Sequence, residues 1–155
     1  MIPVKEVMTR NVITFREDTS LDEIAATLLE KRITGAPVVS GEGHVVGIIS
    51  ETDVFSKKGK VARDIMSQRV ISVTEETGID EAARLLIGER IRRVPVIRGG
   101  KMVGLLSRSD VLEFFAKTRW TCKVCGWWER SLEKPERCYS CSSADLQLER
   151  ADPGH

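Results

Sequence analysis

The chain has 155 residues, 41% of them hydrophobic and 30% charged, with 24 Lys and Arg against 23 Asp and Glu. That length holds one ordinary domain or several very small ones, with enough apolar content for a packed core. The balanced charge excludes the long-range positive field that drives non-specific nucleic-acid binding, and no segment approaches the roughly 18 uninterrupted apolar residues of a membrane helix.

Met1-Ile2-Pro3-Val4-Lys5 opens with neither a basic nor an apolar leader region, so a cytoplasmic location is expected. A short strand follows over Val12-Ile13-Thr14. Leu21, Ile24, Ala25, Leu28 and Leu29 then fall at i, i+3, i+4, i+7 and i+8, the stripe of an amphipathic helix, with Thr19-x-x-Asp22 as a capping box at its start. Ala36-Pro37-Val38-Val39 and Val45-Val46-Gly47-Ile48-Ile49, separated by a Gly-containing turn, predict a hairpin, with Pro37 near a strand start where a missing N–H is tolerated. Ser50-x-x-Asp53 opens a helix over about 51–57.

The same order then returns. Val7-Met8 recurs as Ile65-Met66 and Val12-Ile13-Thr14 as Val70-Ile71-Ser72. The helical stripe recurs as Ile79, Ala82, Ala83, Leu86 and Ile87 behind Thr77-x-x-Asp80, and Pro37-Val38 as Pro95-Val96. A second hairpin is expected at 94–97 and 102–106, and a second closing helix over 108–117 behind Ser107-x-x-Asp110. The offset is 58 residues up to the prolines and 57 from Gly47/Gly104 onward, because the turn loses one residue, which is what a true repeat tolerates. One copy of under 60 residues would be marginal alone. Two copies related by a pseudo-twofold axis would share a core and leave clefts at their interface.

All four cysteines lie beyond the repeats, in Cys122-Lys-Val-Cys125-Gly126 and Cys138-Tyr-Ser-Cys141-Ser142. Paired C-x2-C knuckles are a four-thiolate metal signature, for zinc above all and for iron as the alternative. Gly126 permits the positive φ of such a turn. Trp127-Trp128-Glu129 and Leu146-Gln147-Leu148-Glu149 read as strands of a ribbon too small to fold on apolar burial alone, so bound metal would supply much of its stability. Two disulfides and a catalytic C-x-x-C pair are the competing readings.

Each Ser-x-x-Asp is first a capping box, but a helix N-terminus is also an anion site, and a carboxylate there can accept from a ribose diol. In the second copy Arg108, with Arg92 and Arg93 upstream, offers guanidinium groups to a phosphate; in the first copy Glu51 stands where Arg108 does and would repel one. A solvated surface face is the competing reading of the Arg cluster.

The strand ending Gly-h-h-Ser-x-x-Asp (h, apolar), the upstream Pro-Val strand and the leading Val7-Met8-Thr9 through Thr14, present twice, resemble a tandem pair of cystathionine-β-synthase (CBS) domains over residues 1–118. The resemblance implies an α/β fold with domains at 1–60 and 61–118; the cysteine spacing adds a metal ribbon at 119–150, and a disordered tail is expected at 151–155. The resemblance also implies an adenine nucleotide or adenosyl ligand between the domains and a homodimer in the form of a flat disc. It places the base against Ile33, Ala36 and Pro37 or against Ile91, Val94 and Pro95, with Thr14 and Ser72 facing the cleft. Ribose and phosphate fall to Ser50 and Asp53, or to Ser107 and Asp110. The tail is similar to zinc ribbons and, more loosely, to iron-holding rubredoxin-like ribbons.

No Walker loop, H-E-x-x-H or G-x-G-x-x-G occurs, His44 reads as a turn residue and His155 as part of the tail, so an enzyme is not expected. The expectation is a regulatory ligand-sensing module whose ribbon stiffens the assembly or contacts a protein partner. An electron-transfer iron protein and a nucleic-acid-associated ribbon are the alternatives, and a nucleic-acid partner is the less expected of them.

Overall fold

The structure, a computed structural model, describes residues 1–152; His155 lies outside them. The chain forms two compact units from interleaved segments. One contains residues 10–73 and 95–105, the other residues 1–9, 74–94 and the chain from 106 onward, so neither coincides with one copy of the repeat.

In the first of these units, helix α1 (Leu21–Lys31) precedes strands β1 (Gly35–Val39) and β2 (Val45–Ser50), which pair antiparallel; α2 (Glu51–Ser56) and a short α3 (Ala62–Ile65) follow. Ile24 and Leu28 of α1 pack on Phe15, Val38, Ile49 and Ile65 as a dry cluster. The buried stripe is narrower than the periodicity predicts: Ala25 is exposed and Leu29 is 83% exposed, because a two-stranded sheet covers only one row of the helix. Pro37 lies opposite Ile48, whose N–H points away from β1 to Ser67 O at 3.0 Å, so the missing proline donor interrupts no ladder bond. The expected first strand shrinks to a single parallel bridge, Phe15 to Val38.

The second copy contributes β3 (Val73–Thr74), α4 (Ile79–Gly88), β4 (Arg93–Arg98), β5 (Lys101–Ser107) and α5 (Arg108–Lys117), with sheet order β3-β4-β5. Ile79, Ala82, Ala83 and Leu86 are buried and Ile87 is not. Arg32 and Arg90 both take φ 55° just after the equivalent helices α1 and α4, so the duplication extends to an uncommon left-handed residue.

The helix starts differ from the predicted capping boxes. Thr19 and Thr77 turn their hydroxyls back to accept from Arg16 N (2.9 Å) and Thr74 N (3.1 Å), closing the preceding turn. The N-cap of α1 is Ser20, accepting from Glu23 N. That of α4 is Gly78, which has no side chain to offer. The N-terminal segment lies against it: Pro3 bridges Gly78, Ile79 N donates to Ile2 O at 2.9 Å, and a Cβ on Gly78 would stand 2.9 Å from Met1 Cγ.

Strands β6 (Thr118–Cys122), β7 (Trp128–Glu129) and β8 (Leu146–Arg150) form an antiparallel ribbon in the order β7-β6-β8. β6 begins where α5 ends, with no linker. Trp120, Cys122, Cys138 and Leu146 form the ribbon core, joined by Ile2 and Leu148. Ala151, expected in a loose tail, donates to Lys117 O at 2.7 Å. Among the described residues no helix is long and apolar enough to cross a membrane.

Candidate functional site

Both Ser-x-x-Asp segments form complete capping boxes. Ser50 Oγ accepts from Asp53 N at 3.2 Å, and Asp53 Oδ2 accepts from Ser50 N at 2.9 Å. Ser107 and Asp110 repeat this at 3.1 and 2.9 Å. The first helical N–H of each is also occupied, Glu51 N by Thr34 O at 2.9 Å and Arg108 N by Arg92 O at 3.0 Å. Two donors of each first turn therefore serve the protein's own acceptors, and the helix end alone is a weaker anion site than the sequence suggests.

The carboxylates differ in their surroundings. Asp53, 15% exposed, is paired with Lys57 at 2.9 Å. Asp110 has Thr9 Oγ1 at 3.4 Å, a long contact, and Phe114 where the first copy has Lys57.

Arg108 turns away from the role the sequence suggests. Its Nε donates to Ile91 O at 2.9 Å and an Nη to Leu86 O at 3.1 Å, a carbonyl that also accepts from Ile91 N at 3.0 Å, so it ties the last turn of α4 to the residue that follows. Arg92 is exposed, and Arg93 is half-buried and already partnered. Gly35 pairs with Ser50 and Ala36 with Ile49, which places the Pro-Val strand beside the first box. Ala36, Pro37, Val94 and Pro95 are themselves fully covered; Ile33 and Ile91 are half-buried, Thr14 is half-buried and Ser72 exposed.

A cavity of about 220 Å³ lies beside Asp110. Glu6 and Val7 line it from the N-terminal segment, Glu113, Phe114 and Lys117 from α5, and Thr118 and Arg150 from the ribbon. Lys117 is paired with Glu113 at 2.8 Å, which holds the Glu113 carboxyl below its ordinary range. The lining residues outside α5 were not legible in the sequence. Val7 opens the leading motif and Glu6 precedes it, but Arg150 reaches the cavity only through strand pairing.

The four cysteines converge. Their Sγ atoms all lie within 4.8 Å of one another, with Cys122–Cys141 and Cys125–Cys138 at 3.6 Å. Four sulfurs at about 2.3 Å from a tetrahedral ion would stand about 3.8 Å apart, so one ion fits the cluster and two separate disulfides do not describe it. The knuckles share one backbone form: Gly126 N donates to Cys122 O at 3.0 Å and Ser142 N to Cys138 O at 2.9 Å, with φ 82° at Gly126 and 65° at Ser142. The Cys125 N–H, with that of Val124, lowers the Cys122 thiol to about 6 against burial. At Cys141 the Ser143 N–H acts downward, but burial and the thiols of Cys125, Cys122 and Cys138 push it up to about 12. Four thiols this close cannot all ionise without a cation among them.

The CBS domain model matches residues 4–59 and 62–117; the ribbon lies beyond it. An uncharacterized protein of Methanopyrus kandleri is 36% identical over 121 residues, 72% of this chain and 62% of that protein. Another, of Methanocaldococcus jannaschii, is 32% identical over 117 residues, 72% of this chain but 42% of its own length. The chain thus spans less than two thirds of these relatives. Among solved structures, CBSX2 of Arabidopsis thaliana in complex with AMP superposes with a TM-score of 0.70 at 31% identity, covering 73% of this chain and 95% of that one. The CBS domain pair of protein MJ0100, in complex with 5′-methylthioadenosine and S-adenosyl-L-methionine, gives 0.69 at 28% identity, covering 74% and 96%.

Proposed function

The chain belongs to the CBS-domain family, and from that premise we propose that it is a cytoplasmic regulatory module, not an enzyme, that senses an adenine nucleotide or adenosyl ligand through its Ser-x-x-Asp segments. The observation that carries this reading is the carboxylate of Asp110. One oxygen is fixed by Ser107 N at 2.9 Å, and the group borders a cavity with no cation four residues along its helix. A carboxylate so held is preorganised to accept from a ribose diol. Solved relatives hold AMP, 5′-methylthioadenosine and S-adenosyl-L-methionine. The same assignment gives Thr14 and Ile33 to the first Ser-x-x-Asp segment and Ile91 and Arg92 to the second. Calorimetric titration with these three ligands tests it; no heat from any of them overturns it.

The ribbon holds one structural metal ion on Cys122, Cys125, Cys138 and Cys141 in the same proposal. Bound there, the metal supplies cross-linking of the two knuckles and neutralises the thiolates; with four protein ligands it offers no open position for hydrolysis. The thiolate set suits zinc first and iron second. Elemental analysis with native mass spectrometry decides, and a red protein with a reversible one-electron couple would move the reading to electron transfer. Each copy of the repeat leaves an apolar pair exposed at matching positions, Leu29 and Phe55 in one, Ile87 and Leu112 in the other. These faces support a homodimer, which the same native mass spectrum counts.

A further inference from the structure

The ribbon does more than stand beside the ligand module. Its strand β8 ends with Arg150 opposite Thr118, and both line the cavity that borders Asp110. That end is fastened: Ala151 N donates to Lys117 O at 2.7 Å, and one Nη of Arg130 donates to both Thr118 O (2.9 Å) and Ala151 O (3.0 Å). The Arg150 guanidinium is 76% exposed, and its contact with Asp152 is long at 3.9 Å, an exposed pair that holds it weakly.

The charges around the cavity are of both signs. Glu6, Asp110 and Glu113 line it with Lys117 and Arg150; Lys117 is already taken by Glu113, whose carboxyl also feels the charge of Arg150. Three carboxylates against two cations oppose a phosphate dianion, whereas a group carrying one ammonium and one carboxylate meets a partner for each. The size agrees. At about 220 Å³ the space is below the roughly 300–1,000 Å³ of a whole ligand pocket and suits a fragment of a ligand held by Asp110.

We infer that the ribbon supplies one wall of the ligand site beside Asp110, with Arg150 reading the carboxylate of an α-amino-acid tail on an adenosyl ligand whose ribose Asp110 holds, while Glu6 meets its ammonium. This rests on the adenosyl-ligand reading above and specifies the ligand class. Arg is suited to the task because its fork binds a carboxylate in two places. Arg150 is a specificity residue, and it sits at one end of the β6–β8 pair whose other end is Cys122 opposite Leu146. Four residues of strand separate them, about 13 Å. Metal that folds the ribbon therefore also places Arg150, and by linkage metal and ligand strengthen each other's binding.

The test uses the full chain and two ligands that differ in the tail: S-adenosyl-L-methionine, which has it, and 5′-methylthioadenosine, which lacks it. Arg150→Gln should weaken the first about threefold to fivefold, the upper range for an exposed charge pair, and leave the second unchanged. Chelating the metal should produce the same selective loss in the unaltered protein. Equal effects on both ligands, no effect on either, or unchanged S-adenosyl-L-methionine affinity in metal-free protein overturns the inference while 5′-methylthioadenosine binding preserves the adenosyl-ligand reading. Absence of binding by any adenosyl ligand to the unaltered protein overturns both.

Discussion

Substituting Asp110 separates its two duties. As a cap, it accepts from Ser107 N at 2.9 Å, and its own N–H donates to Ser107 Oγ at 3.1 Å. Asp110→Ala removes the carboxylate half of this box and leaves Ser107 N without its acceptor; losing a side-chain cap costs about 1 kcal/mol, roughly 2–4 °C in Tm for a chain of this size. Asp110→Asn keeps an oxygen for Ser107 N, so the stability loss should be much smaller. For a ribose diol the exchange is not neutral. The carboxylate accepts from two hydroxyls, whereas the amide offers one acceptor and one misplaced donor. Loss of a charge-assisted hydrogen bond, about 1.5–3 kcal/mol, predicts a roughly tenfold to hundredfold weaker ligand. Thermal melts of both variants, paired with calorimetric titration of 5′-methylthioadenosine and AMP, read the two duties independently. An Asn variant that melts like the unaltered protein and binds both ligands as tightly would refute the ribose assignment and leave Asp110 a helix cap.

Arg108→Ala should destabilise by about 1 kcal/mol by removing the guanidinium donors of Ile91 O and Leu86 O, the latter keeping Ile91 N, visible as faster amide exchange in the last turn of α4, and should not selectively abolish phosphate-bearing ligands. Chelation should expose Trp120, which is 5% exposed with its indole N–H on Ser131 O, giving a red-shifted emission that zinc reverses; native-like emission without metal would contradict metal-dependent folding. Asp64 is held below its ordinary range by the N–H groups of Lys60 and Val61. Because its folded pKa is depressed, its contribution is present above about pH 4 and is lost as the pH falls through the lowered value. Asp64→Asn should therefore flatten the acid limb of stability measured by chemical denaturation.

The element order was legible because the same apolar periods occur twice, with a one-residue deletion confined to a turn. The convergence of the four cysteines was legible because each C-x2-C pair places two thiols on one tight turn, and Gly126 marks the first of these turns. Helix starts were not. Thr19 and Ser20 are adjacent, both can cap, and the choice depends on whether Arg16 N or Glu23 N lies within reach. Gly78 reads as a gap in the pattern until Ile2 and Pro3 arrive from a distant stretch of chain. Arg108 was assigned by the charge it carries, but its position is decided by Leu86 O and Ile91 O, carbonyls that a sequence does not display. Arg150 is harder still: only the register of β6 with β8 sets it beside Thr118.

The inequality of the two copies therefore rests on a different residue than the sequence singles out. Glu51 and Arg108 follow the motif serines and carry opposite charge, yet Arg108 is committed to carbonyls and neither residue decides what reaches the carboxylate. The deciding position is four residues after the Ser-x-x-Asp acid, where a helix brings side chains together. Just past α2 it is the C-cap residue Lys57, which closes on Asp53 at 2.9 Å. In α5 it is Phe114, which lines the cavity and leaves Asp110 without that counter-ion. On the proposed reading a ligand at Asp53 would have to displace an ion pair, whereas one at Asp110 would not. The longer α5, ten residues against six in α2, then runs directly into β6 and sets the ribbon against the same cavity.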